Sequence, residues 1–355
     1  MQRLITGDEQ LHRQPDRSGY RFCQDQGVSE GGPVVLDVDT GVDDACALLL
    51  AALHPRLDLR AVTCVAGNVG VDQVVRNTLR VLAAAGRDDV PVAGGASRPL
   101  LEPAREARHV HGEDGLGDLD AGALGLPEPT AQRDPRHAVE LLRDVLLEAA
   151  GTGERVTLVP MAPQTNVALL LRTYPEAAEG LRRIVFMGGS AGVGNATASA
   201  EFNVWHDPEA AAVVLDAAHE LGIEVTMYGL DVFYDVRVSR ADARELLEAE
   251  HPASRLAGAL IGFQCDRFGA EDATIGDAGA VCAVLDPKGL TTARHPVHVE
   301  LAGARTRGQT VVDRRTWSGD LEHDEHEPSP ALVDVARGVD GRRWAQLWLD
   351  TVSRA

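Results

Sequence analysis

Four aspartates, Asp37, Asp39, Asp43 and Asp44, fall within eight residues directly behind the apolar run Pro33-Val34-Val35-Leu36. Carboxylates so closely spaced repel one another once a fold withdraws them from water, so something positive has to sit among them. A helix cap accounts for one such aspartate, not for four. With no Cys or His pair nearby, an all-oxygen ligand set favours a hard divalent cation, Ca²⁺ or Mg²⁺, over zinc. A cation held by acids can activate water and orient a diol.

A strand ending at Asp37 or Asp39, a turn at Gly41 and a helix entered near Asp43 would aim these acids at the crevice where open α/β sheets bind ligands. Asp43 and Asp44 then lie in the first helical turn, where the dipole favours negative charge. Further β-branched apolar runs at 60–66, 90–93, 156–160, 184–187 and 223–228 alternate with helical patterns at 71–85, 137–150, 165–171 and 208–221. This alternation predicts an α/β fold with an open, mainly parallel, doubly wound, Rossmann-like sheet. From about residue 239 the texture becomes helical (241–249, 254–268, 278–285), and this C-terminal portion is expected to cover the site. A strand pair near 297–301 and 309–312, a polar stretch at 320–327 and a last amphipathic helix at 342–352 complete the chain. The Gly-, Pro- and charge-rich segment 100–130 is the expected mobile loop.

The chain has 355 residues and 44% hydrophobic content, enough for one large core, built from Ala, Val and Leu because aromatics are only 4%. Residues 1–30 are expected to form a flexible polar extension and residues 31–355 a single domain. A net charge of −20 argues against nucleic acid or an anionic membrane as partner and favours a neutral or cationic small molecule. Five scattered cysteines, Cys23, Cys46, Cys64, Cys265 and Cys282, read as reduced core residues rather than a disulfide framework. With no apolar segment of membrane-spanning length and no signal-peptide core, a cytoplasmic location is expected.

Ala66-Gly67-Asn68 follows the second predicted strand and Met187-Gly188-Gly189-Ser190 the fifth, on the same sheet edge as the acids. The string GNATASAEFNVWHDPEAA then presents Asn195, Glu201 and Asn203, paired donors and acceptors suited to a polyhydroxylated ligand, before a helix that Asp207-Pro208 opens. Asp207 reads as the cap of that helix. Asp277 precedes the apolar pattern 278–285 and is either another cap or a distant ligand for the acid cluster.

The strings DVDTGVDDACAL, AGN, HVHGEDGLG, LVPMAPQTN, MGGS and GNATASAEFNVWHDPEAA occur in the order seen in inosine–uridine-type nucleoside hydrolases, and the chain resembles that family from about residue 33 to the C-terminal helix. The resemblance implies hydrolysis of the N-glycosidic bond of a nucleoside, giving ribose and free base. It implies that the carboxylates of Asp39, Asp44 and Asp277 and the backbone carbonyl of Met161 bind Ca²⁺. Asp39 would also be the general base acting on a Ca²⁺-bound water that attacks the anomeric carbon. Asp43, Asn68 and Asn203 would hold the 2′- and 3′-hydroxyls, Asn195 and Glu201 the 5′-hydroxyl, Met187 and Phe202 would line the ribose, and Asp37 would stand behind the acids. A homo-oligomer, dimer or tetramer, is implied as well.

Three departures stand out. Thr40 replaces the proline of the usual acid turn, Met161 occupies a position where small residues are common, and Gly276 precedes the distal aspartate where the family often carries His or Trp. Gly276 can neither protonate a leaving base nor stack on it. That task would pass to His111, which is counted among the substrate-binding residues, to Tyr234 or Arg267, or to solvent. A changed nucleobase preference, an unusual aglycone or a diminished rate toward inosine and uridine is therefore expected.

Two other readings compete. The opening LDVDTGV also resembles the nucleophile motif of haloacid-dehalogenase-type phosphatases, yet the sole lysine, Lys288, lies after the late acidic motif rather than before it. A non-catalytic Ca²⁺-dependent nucleoside- or sugar-binding protein would keep the same pocket without turnover. Release of ribose from nucleosides separates binding from catalysis.

Overall fold

The computed structural model describes residues 31–315 and 331–354. The expected extension at 1–30 and polar stretch at 320–327 lie outside the described residues, as does Cys23. Six apolar segments form the strands β1 (Gly32–Val38), β2 (Leu57–Cys64), β3 (Val92–Gly94), β4 (Val156–Pro160), β5 (Leu181–Met187) and β6 (Glu224–Tyr228). Between or after them run α1 (Val42–Leu53), α2 (Val71–Ala84), α3 (Arg108–His111), α4 (Ala138–Thr152), α5 (Thr165–Thr173), α6 (Phe202–His206), α7 (Pro208–Leu221) and α8 (Leu230–Phe233). The C-terminal part adds β7 (Arg237–Ser239), α9 (Arg240–Leu247), α10 (Pro252–Phe268), β8 (Asp272–Thr274) and α11 (Ala278–Leu285). It ends with β9 (Leu290–Val299), β10 (Thr310–Val312), β11 (Ala331–Val339) and α12 (Gly341–Ser353).

The main sheet has nine strands in the order β10-β9-β11-β6-β5-β4-β1-β2-β3. From β11 to β3 every pairing is parallel, while β9 and β10 add antiparallel strands at one edge. The order reverses between β1 and β4, so their carboxyl ends open a crevice where neighbouring connections leave on opposite faces. Asp39 follows one of these strands and Met161 the other, and Met161 N–H donates to the Asp37 carbonyl at 2.8 Å.

Strand alternation divides the core into two layers. Val34, Leu36 and Val38 face a cluster shared with α1, α2, α10, α11 and α12, whereas Val35 joins a second cluster with α4, α5 and α7. Asp37, on the Val35 face, accordingly meets α5: Asn166 Nδ2 donates to Asp37 Oδ1 at 2.8 Å and Thr63 Oγ1 donates to the same oxygen at 2.6 Å.

Three features depart from the sequence reading. β9 begins seven residues earlier than the predicted strand, at Leu290, and β11, which no pattern announces, inserts between it and β6. A small antiparallel pair, β7 with β8, stands apart from the main sheet. The expected mobile loop at 100–130 is tied down in its middle: Ala107, His111 and Leu116 are buried, and Asp114 and Asp118 hold each other's backbone N–H groups in a tight turn. Among the described residues no helix is long and apolar enough to cross a membrane, and Cys46, Cys64, Cys265 and Cys282 are free and buried.

Candidate active site

The turn from β1 into α1 is built by its own acids. Asp44 accepts from the N–H of Gly41 at 2.8 Å and of Asp39 at 3.3 Å, so one carboxylate closes the turn and caps the helix. Asp39 Oδ2 accepts the Asn68 N–H at 2.7 Å, which joins the ends of β1 and β2. Gly67 lies so close that a Cβ there would overlap Asp39 Oδ2, and a Cβ on Gly41 would stand 2.6 Å from His111 Nδ1. Thr40, in place of proline, anchors the turn from outside, with Thr40 Oγ1 2.6 Å from Thr78 Oγ1 and the Thr40 carbonyl accepting from Asn77 at 3.2 Å.

Asp277 reaches the same place from α11, more than 230 residues downstream. Its carboxylate caps no backbone N–H of that helix, which removes the cap reading. Oxygens of Asp43, Asp44 and Asp277 converge within 4.8 Å of one another. The closest trio thus includes Asp43, where the sequence reading has Asp39; Asp39 adjoins it through its N–H bond to Asp44, and its Oδ1 is buried without a partner.

Burial first, and then repulsion from neighbouring acids, pushes the carboxyls of Asp39 and Asp277 well above the ordinary range and that of Asp44 up to about 8. The charged groups acting on Asp277 are Asp43, Asp44, Asp39 and Glu201, all acids. Buried like charges without a cationic side chain are costly. The Met161 carbonyl accepts from Asn203 Nδ2 at 3.1 Å and keeps a second lone pair. Such an oxygen-rich donor set fits a hard divalent ion.

A cavity of about 590 Å³ opens over this cluster, lined by every predicted site residue except Asp44, which is wholly buried beneath it. Glu201 caps α6: it accepts from the N–H groups of Asn203, Gly189 and Val204 at 2.8, 2.9 and 3.2 Å, and burial pushes its carboxyl up to about 7. Asn195 Oδ1 accepts the Phe202 N–H at 2.9 Å, and Asn203 Nδ2 also reaches the Met187 carbonyl at 3.3 Å. Asp207 is the cap the sequence implies, accepting from Ala210 N–H at 3.1 Å and Thr165 Oγ1 at 2.6 Å.

His111, delivered by α3, accepts the Val42 N–H on Nδ1 at 3.2 Å and lies 3.6 Å from Asp43 Oδ1. Its proton is therefore on Nε2. Tyr234 lines the cavity and is 47% exposed, whereas Arg267 is absent from the lining and donates to the His109 carbonyl. Among the lining residues missed from sequence are Phe233, Gln264 and Thr274. Gln264 is 8% exposed with Nε2 unpartnered. It continues the buried row Leu256, Leu260 along α10, and a polar residue on an apolar stripe was the signal available.

The family model for "Inosine-uridine preferring nucleoside hydrolase" matches residues 34–346. A pyrimidine-specific ribonucleoside hydrolase RihA of Photobacterium profundum is 42% identical over 287 residues, 79% of this chain and 89% of that one. Among solved structures, a plant nucleoside hydrolase, the PpNRh1 enzyme, aligns with a TM-score of 0.79 at 27% identity, covering 91% of this chain and 99% of its own. A purine-preferring ribonucleoside hydrolase from Gardnerella vaginalis aligns with a TM-score of 0.78 at 28% identity, covering 91% and 98%. These matches set aside the phosphatase and binding-only readings. The chain belongs to the inosine-uridine preferring nucleoside hydrolase family, enzymes that hydrolyse the N-glycosidic bond of nucleosides.

Proposed function

We propose that this hydrolase works with Ca²⁺ held by the carboxylates of Asp39, Asp44 and Asp277 and the carbonyl of Met161, and that Asp39 is its general base. The observation that carries this reading is the set of buried acids that face one another with no cationic side chain among their electrostatic neighbours. When bound, the ion lowers the pKa of a coordinated water and offsets the repulsion between the acids. Asp39, with Oδ2 fixed by Asn68 and Oδ1 free, takes the proton from the attacking water. Asp43, Asn68 and Asn203 bind the 2′- and 3′-hydroxyls, and Asn195 and Glu201 the 5′-hydroxyl. Met187 and Phe202 pack on the sugar. The surrounding carboxylates stabilise positive charge developing on the ribose as the bond to the base breaks.

His111 presents Nε2–H to the bound nucleoside. The base preference departs from that of relatives with His or Trp before the distal aspartate, because Gly276 supplies no group to the leaving base; the pyrimidine-specific name of the RihA relative supports discrimination between pyrimidine and purine ribosides. Residues 31–355 act as one domain, since both hydrophobic layers share one sheet. The reduced, buried cysteines support a cytoplasmic setting. We further propose a dimer or tetramer, with no nucleic-acid or membrane partner given the net charge of −20.

Chelation tests the metal reading. EGTA should abolish ribose release and lower the melting temperature, and Ca²⁺ at about 100 times its Kd should restore about 2.7 kcal/mol of stability by mass action. Unchanged melting and unchanged turnover in chelator would overturn it.

A further inference from the structure

Thr310 belongs to β10, the outermost strand of the sheet, yet its side chain is buried and reaches the loop that follows β5. Its Oγ1 accepts the N–H of Ser190, 120 residues earlier, at 2.8 Å and donates to the carbonyl of the same residue at 2.7 Å. One hydroxyl thus does for Ser190 what a neighbouring strand would do. Thr310 also presses on the residue before it: a Cβ on Gly189 would stand 2.8 Å from Thr310 Cγ2 and 2.9 Å from Oγ1.

The clamp matters because Gly188 and Gly189 are adjacent, and paired glycines leave the backbone freer than any other residues do. Nothing within the loop fixes where the Gly189 N–H points. The peptide between Gly189 and Ser190 is instead held from both sides, its carbonyl accepting the Leu230 N–H at 3.0 Å and its N–H going to Thr310. With that peptide fixed and Gly189 at φ +70°, the Gly189 N–H meets Glu201 Oε2 at 2.9 Å.

Glu201 is buried, and its lone pairs can be counted. Oε2 accepts from Gly189 and Val204, and Oε1 accepts from Asn203. A carboxylate oxygen has two lone pairs, so Oε1 keeps one for a hydroxyl in the cavity that Glu201 lines. If the Gly189 N–H turned away, Oε2 would compete for that hydroxyl and the carboxylate would lose a tether. Thr310 is itself absent from the cavity lining, so its influence on a substrate passes through Gly189 and Glu201.

Resting on the assignment of Glu201 to the 5′-hydroxyl, we propose that Thr310 is a positioning residue that sets recognition of that hydroxyl by clamping Ser190 and thereby aiming the Gly189 N–H at Glu201.

The test compares 4-nitrophenyl β-D-ribofuranoside with its 5-deoxy analogue on the Ca²⁺-loaded enzyme. Nitrophenolate leaves without a proton, so the two ribosides differ only at the sugar. The wild type should prefer the hydroxylated riboside by at least about tenfold in kcat/KM, the low end for a hydrogen bond to a charged group. Thr310→Val keeps the volume and removes the hydroxyl; it should cut that preference about fivefold, with kcat/KM for the deoxy analogue staying within about twofold of the wild type. Thr310→Ser keeps the hydroxyl and should retain the wild-type preference. Should Thr310→Val not fold, Thr310→Ala carries the same expectation as Thr310→Val. An unchanged preference, an equal loss on both ribosides, or a loss in Thr310→Ser as large as in Thr310→Val would overturn the proposal and leave the hydrolase reading standing, as would failure of both the Val and Ala variants to fold, which would make Thr310 a residue of stability. Equal use of the two ribosides by the wild type would overturn it together with the 5′-hydroxyl assignment, and failure to cleave either would overturn the proposed mechanism as well.

Discussion

The two ends of the cavity are built on different principles. At the end proposed to hold the sugar nearly every polar group is fixed by the backbone: Asp44 accepts from the N–H of Gly41, Glu201 from those of Asn203, Val204 and Gly189, and Asn203 bridges the Met161 and Met187 carbonyls. At the end proposed to hold the base Gln264 Nε2 has no hydrogen-bond partner, and Tyr234 and Phe268 are 47% and 64% exposed. On the proposed function, the end that performs the chemistry is preorganised, so its donors pay no reorganisation cost during bond cleavage. The other end is a surface of adjustable contacts on which preference among leaving groups can change without disturbing the reaction.

Substitutions at the two ends should therefore differ in kind. The largest effect is expected for Asp39→Asn, which removes a ligand charge and the base together: kcat/KM for ribose release should fall at least about 1,000-fold with the circular-dichroism spectrum unchanged. Retention of near-wild-type turnover would remove the base from the sugar end. Gly276→Ala acts through the acid turn; because Ala at positive φ is strained and its Cβ meets Asp43, urea unfolding should show a loss of about 1–3 kcal/mol, with turnover reduced about tenfold. A neutral outcome in both measurements would mean that the turn carrying Asp43 tolerates a side chain at Gly276.

Gln264→Ala should act more gently, raising KM about threefold to tenfold while kcat stays within about twofold, since one hydrogen bond contributes about 0.5–1.5 kcal/mol. A fall in kcat alone would blur the distinction between the ends. An effect on stability rather than turnover, seen only as pH changes, concerns His206, buried with neither ring nitrogen hydrogen-bonded and its ring centroid 5.5 Å from that of Phe202. Burial lowers its pKa to about 4 in the fold, so the unfolded chain takes up the proton first as pH falls. Stability attributable to this histidine is complete above about pH 6.5 and is lost between there and about pH 4, amounting to about 3 kcal/mol at most. The melting temperature of the wild type should fall relative to that of His206→Leu as pH drops from about 6.5 to about 4, and a pH-independent difference would refute the assignment.

Much of this was legible in the sequence where local signals are long and bounded. The continuous apolar runs that became β1 and β4, and helix α7 between Asp207-Pro208 and Gly222, fall where periodicity and capping chemistry place them. β11 escaped because Asp334, Arg337 and Gly338 interrupt its apolar pattern, and its strand character comes from β6 and β9 on either side. The same division holds in the site. The clustered aspartates announced themselves, but neither the bare carboxylate of Asp277 nor its approach to Asp43 and Asp44 follows from its local sequence, which reads equally well as a cap. Gly276 was visible as a departure, while the reason it must be glycine is three-dimensional.

The late insertion of β11 between β6 and β9 bears on how the chain reaches this state. As synthesis proceeds from the N-terminus, β6 emerges with one edge bare, and it stays so until residues 331–339 are released more than 100 residues later. The helix that follows, α12, then donates from Trp348 Nε1 to the Cys46 carbonyl of α1 at 3.0 Å. Newborn protein thus carries an open strand edge that invites pairing with other chains, and the helix presenting the first acids gains this support only after residues 341–353 have been made.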